Sequence, residues 1–228
     1  MTDEGTTAVS AERWGGLART TGVIGLVAVV VLFTPIIAIS TLGEPLFDAS
    51  ADEAAAFFGR TDTAWAMAAE AAAGLGMVVF LWFVAAFTTL LRRVEGPPAW
   101  RSTAALVSGA LVAAYGLLDA SWDAAGNRGA GIDPGIAAFA FDLGNLGFAN
   151  TWVALGSFAI ASGWVLVESR AVPAWWGWWA VASGAGLIVV RFTWEGVVWT
   201  APYFVFWAWV IALSIRLIRR PLEPARPA

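Results

Sequence analysis

Eight polar residues stand in otherwise apolar surroundings: Glu70, Tyr115, Asp119, Asp142, Asn145, Asn150, Arg191 and Glu195. Carboxylates and amides in such places can hold a cation or a polar solute. Ionisable groups at membrane depth are expensive and often mark a solute or ion path. Other chemistry is closed to the chain. It has no Cys, no His and no Lys, and all 13 basic residues are Arg. That removes thiol chemistry, imidazole bases, His-ligated metal or haem, and Schiff-base formation. HExxH and GxSxG are missing, and no Gly-rich phosphate loop precedes a helix. Asp119 and Asp142 sit in GLLDAS and FAFDLG, which do not fit an intramembrane aspartyl protease. We therefore assign no catalytic residue, no metal and no cofactor.

The elements that must position these residues are helices. Hydrophobic residues make up 59% of the 228 and charged residues 13%. Mean hydropathy is +0.72. A soluble domain carries about 25% charge. Several runs reach the ~20 apolar residues that cross a bilayer core. The sequence predicts an all-α integral membrane bundle of six spans, about 21–40, 63–91, 101–122, 134–167, 174–193 and 201–218. Residues 17–220 form one transmembrane domain, between a polar, disordered segment 1–16 and a tail 221–228. Ala38-Ile39-Ser40 also fits a signal-peptidase site, but the six-span pattern reads well with the first span retained.

Between the first two spans, Ser50-Ala51-Asp52-Glu53 fits a capping box. It opens a short helix expected to lie on the membrane surface, with Phe57 and Phe58 as anchors. Asp133-Pro134 gives the fourth span an N-cap and a first-turn Pro. From Pro134 to Val167 is 34 residues, about 50 Å. Such a span must tilt, or its first turns must stand clear of the hydrocarbon.

With both termini cytoplasmic, ten Arg lie inside and three (Arg60, Arg128, Arg191) outside. This is a strong positive-inside bias. Eleven acids lie outside and six inside. The formal net charge of −4 argues against a nucleic-acid partner. Pro98-Ala99-Trp100 recurs as Pro173-Ala174-Trp175, and Ser108-Gly109 as Ser183-Gly184. Both recur at an offset of 75 (173 − 98 and 183 − 108). Spans two–three and four–five thus resemble a parallel repeat of one hairpin.

Counting ~20 residues inward from the cytoplasmic ends brings Glu70, Asp119, Asp142, Arg191 and Glu195 to one level, the outer boundary. Asn145 and Asn150 lie deeper. Helical geometry puts Asp142, Asn145, Leu146, Ala149, Asn150, Val153, Gly156 and Ser157 on one stripe, which should face protein or water. Ser108, Val112, Tyr115, Asp119 and Trp122 form a second stripe. Arg191 and Glu195, at i,i+4, can pair. Two readings stand. In one, an acidic outer vestibule takes a small solute or cation. In the other, the acids pair with Arg191, Arg128 and Arg60 and cap helix ends, and the outer loops contact a protein partner.

The turn LLRRVEGPPAW after the second span and the entry VPAWWGWWAVASG to the fifth carry a family resemblance. With the length and six spans, residues 17–220 resemble the DUF4386 family of bacterial six-span membrane proteins. The Ala-, Gly- and Arg-rich, Lys-free composition is actinobacterial in style. The resemblance implies a multi-pass protein of the bacterial plasma (inner) membrane. It supplies no activity, ligand or site residue.

Overall fold

The computed structural model describes residues 3–118, 120–193 and 197–222. Among these the chain forms eight α-helices and no strand. Six are long: α1 (Asp3–Ser40), α3 (Ala64–Glu95), α4 (Trp100–Leu118), α6 (Pro134–Ser169), α7 (Ala174–Val190) and α8 (Thr200–Arg219). Two are short: α2 (Ala51–Thr61) and α5 (Ser121–Gly126). Five segments of the chain, each built on one long helix, are long and apolar enough to cross a membrane. α7, at 17 residues, is about 26 Å long and stands at the short limit for a span. α1 begins at Asp3, so the polar segment ahead of the first apolar run is helical from that residue, not set apart from the span.

Packing closes the long helices into a ring. α1 lies against α3 and α8, α3 against α4, α4 against α6, α6 against α7, and α7 against α8. α3 also meets α6 across the ring. The centre is filled with aromatic rings: Phe80, Phe83 and Phe87 of α3, Phe158 of α6, and Phe206 and Trp209 of α8 are fully buried. Phe83 and Phe87 stack at 5.6 Å, and Phe158 meets Phe80 edge-on at 6.3 Å. Such pairs add about 0.5–1.5 kcal/mol each beyond their burial. The outward faces stay apolar, with Trp82, Leu111, Trp164, Val189 and Phe204 all exposed. An apolar exterior around a packed core suits lipid contact, since tails need no polar partner.

The helix bounds agree with the offset of 75. α3 shifted by 75 falls on α6, and α4 shifted by 75 falls on α7. A contact repeats as well. A Cβ on Gly109 would lie 2.5 Å from Val84, and one on Gly184 would lie 3.0 Å from Ala159. Val84 and Ala159 are themselves 75 apart (159 − 84).

The two ends of the bundle differ. At one end, the guanidinium of Arg93 lies 4.6 Å over the Trp14 ring. Arg101 pairs with Glu95 at 3.1 Å and with Glu168. Glu95 also accepts the backbone N–H of Ser102 at 2.9 Å. These contacts gather the start of α1, the end of α3, the start of α4 and the end of α6 into an arginine-rich end.

The other end is acid-rich and capped. α2 has its capping box, with Ser50 and Glu53 bonded reciprocally. Its Phe57 and Phe58 are not anchors in lipid. Both are buried with Trp122 and Phe141 in a second core. Trp122 stacks on Phe141 at 5.4 Å, with Phe57 edge-on at 5.4 Å. α2 and α5 pack on the start of α6, so the first turns of this long helix are covered by protein.

Candidate functional site

The site lies at the acid-rich end, around one turn of α6. α6 starts where Asp133 accepts the N–H groups of Gly135 and Ile136, at 2.9 and 3.2 Å. Three turns on come Gly144, Asn145 and Gly147. The two glycines let neighbours come close. A Cβ on Gly147 would lie 1.4 Å from the Tyr115 hydroxyl oxygen, and one on Gly144 would lie 2.3 Å from Trp122 Nε1. The Tyr115 hydroxyl, from α4, donates to the Gly144 carbonyl at 3.4 Å.

Asn145 lies between these glycines and is 3% exposed. Its Nδ2 is buried with no hydrogen-bond partner, and so is Trp122 Nε1. An unmet buried donor costs about 1–3 kcal/mol, and each exception in a folded protein asks for an explanation. Here one such donor belongs to a turn of α6 and the other, from α5, meets Gly144 of the same turn. Asp123 follows Trp122 on α5, and its side chain is within hydrogen-bonding reach of Glu70 on α3. Two carboxyls this close suit a shared proton or a cation. This end of the bundle therefore offers both donors for an acceptor group and carboxylates for a positive one.

The remaining expected residues divide. Asn150 is not with Asn145 but one face round, where its Oδ1 accepts from Arg191 Nε at 2.8 Å. Asp142 is exposed. Asp119 and Glu195, with the expected Arg191–Glu195 pair, lie outside the described residues. The stripe on α6 is only partly interior. Asn145, Ala149 and Gly156 are buried, whereas Leu146 and Val153 are exposed because α4 and α7 flank α6 without enclosing it. The second stripe holds as far as Tyr115, with Ser108 Oγ 2.8 Å from Ser157 Oγ. It fails at Trp122, because α4 ends at Leu118 and Trp122 belongs to α5.

The expected pairing of acids with Arg at this end is not found among the described residues. The two ion pairs recorded are both at the arginine-rich end. Arg60 instead donates to the carbonyls of Leu42 and Gly43 at 2.7 and 3.0 Å, tying α2 to the turn after α1. Helix capping does occupy Glu53 and Asp133. Asp123 goes unread in the sequence because DAAGNRGAGID reads as a Gly-rich loop. A cue for Asp123 was its place four residues after Asp119. No family model, curated protein or solved structure matches this chain.

Proposed function

We propose that this is a bacterial plasma-membrane protein that binds a small polar solute or cation at its acid-rich end. On this reading α7 is the sixth span, both termini are cytoplasmic, and the acid-rich end faces outward. The resemblance to the DUF4386 family and the parallel repeat of α3–α4 in α6–α7 belong to the same proposal. The Arg asymmetry supports the orientation, and the recurring glycine contact supports the repeat.

The observation that carries the binding reading is the unmet Nδ2 of buried Asn145, on the turn of α6 whose Gly144 meets the unmet Trp122 Nε1, with Asp123 of the Glu70–Asp123 pair next to Trp122 in the chain. A solute with an acceptor and a positive group would satisfy both sets. The aromatic filling of the ring's centre favours binding over passage. That filling also favours the second reading, a non-transporting subunit or sensor. Its partner would meet the outer surface formed by residues 43–63 and 123–135.

The test is thermal unfolding of the purified protein with a panel of monovalent and divalent cations and small amines. Some member should stabilise the wild type, and the Glu70→Gln/Asp123→Asn variant should lose at least tenfold in apparent affinity. If the wild type responds to none, or the variant responds equally, the binding reading fails. Co-purification of a stable membrane partner then favours the second.

A further inference from the structure

The arginine-rich end holds a feature unrelated to the acidic site. A cavity of about 570 Å³ opens where α6 turns into α7, lined by Arg170, Arg216 and apolar residues that include Val167 and Val172. No carboxylate is among its lining residues. The nearest acid along the chain, Glu168, is engaged by Arg101. Arg216 Nε is buried and has no hydrogen-bond partner. This one unmet donor belongs to a half-buried guanidinium, whose other nitrogens remain accessible from the cavity mouth.

The backbone fits the same purpose. Arg170 closes α6 in the left-handed region, at φ 50, an uncommon conformation for a residue with a side chain. Pro173 and Ala174, at the start of α7, also line the cavity. The first turn of α7 has no side-chain cap, so its free N–H groups and dipole favour negative charge. Two guanidiniums in an acid-free hollow match a phosphate group, which guanidinium recognises through paired hydrogen bonds.

We infer that this cavity binds a phosphate group, carried by the headgroup of an anionic phospholipid or by a soluble phosphate. The apolar lining beside the two Arg suits the glycerol and first methylenes of a lipid. Basic hollows between helices at a membrane surface are where such headgroups settle.

The experiment uses the full chain in phosphatidylcholine nanodiscs, with phosphatidylglycerol added in one arm and inorganic phosphate in another. Bound lipid is counted by native mass spectrometry, and thermal unfolding reads stabilisation. The wild type should retain phosphatidylglycerol over phosphatidylcholine. Arg170→Gln/Arg216→Gln should weaken that retention at least tenfold, while Arg219→Gln, outside the lining, changes it less than twofold. Arg170→Gly keeps the left-handed turn without strain and should show an intermediate loss. Stabilisation by inorganic phosphate over chloride at equal ionic strength identifies the soluble source. A response to phosphatidylglycerol alone identifies the lipid. If the wild type prefers neither over its control, the inference is overturned, with no variant needed. Equal retention by the double variant overturns it too.

Discussion

Arg191, at the end of α7, donates through Nε to Asn150 of α6 at 2.8 Å, a bond across 41 positions of sequence. It joins two helices that already share a tight seam, where a Cβ on Gly184 would lie 2.6 Å from the carbonyl oxygen of Gly156. Interhelical polar bonds in membranes are worth about 0.6 kcal/mol on average and up to about 1.7. Asn150→Leu and Arg191→Gln should each lower stability by about that much. In a double-mutant cycle the two losses should not add. Additive losses in thermal unfolding would mean that the bond contributes nothing.

Tyr115 and Gly147 form the tightest contact of the candidate site. Gly147→Ala must displace the Tyr115 ring, since the new methyl would lie 1.4 Å from its hydroxyl oxygen. Overpacking of this kind costs about 1–3 kcal/mol. Tyr115→Ala in the same chain should recover most of the loss caused by the added methyl. Thermal unfolding of the two single variants and the double checks this. A neutral Gly147→Ala would show that the two helices do not meet there.

The repeated glycine contact predicts unequal rescue. Gly109 faces the side chain of Val84, whereas Gly184 faces the backbone oxygen of Gly156. Both Gly→Ala changes should destabilise, by about 1–3 kcal/mol. Val84→Ala should relieve the first, because side-chain methyls are removed. Ala159→Gly should not relieve the second, because the backbone oxygen stays. Equal rescue in both hairpins would contradict this packing.

Two carboxyls outside the spans should give opposite responses to pH. Backbone and side-chain hydrogen bonds from Ser50 hold the Glu53 carboxyl below its ordinary range. Burial pushes the Glu44 carboxyl above its ordinary range. A lowered value means that the Glu53 contribution is present above the unfolded value and lost as pH falls through the folded one. A raised value means that folding favours neutral Glu44, a contribution lost as pH rises through its folded value. Glu53→Gln should therefore flatten the acid loss of stability. Glu44→Gln should stabilise near neutral pH, with the gain shrinking as pH falls. Hydrogen exchange of α2 and thermal midpoints across the carboxylate range check both signs. Parallel profiles for wild type and variants would refute them.

Periodicity and caps carried most of the fold. The long helices, the α2 capping box and the Asp133 cap were legible because each depends on neighbours within four residues. Burial of Phe57 and Phe58 was not legible. A pair of apolar residues on a short helix shows that a face wants covering, not whether lipid or protein covers it. The Glu70–Asp123 pair was hidden for a similar reason, since α5 must turn back toward α3 before the two carboxyls meet. Asn145 was legible as a deeper polar position on α6, yet the approach of Trp122 and Tyr115 to the glycines on either side of it depends on the break after Leu118. That break left no mark that the apolar run 101–122 disclosed.

The buried amide of Asn145 is the centre of the functional proposal, and its surroundings can be observed directly. The measurement is an experimental map of the protein in lipid, at a resolution that shows ordered water. We expect density for water, a cation-bound water or a small solute within about 3.2 Å of Asn145 Nδ2, reaching toward Glu70 and Asp123. A dry contact, with Nδ2 turned onto a protein acceptor and no density between it and the carboxyls, would contradict the proposal.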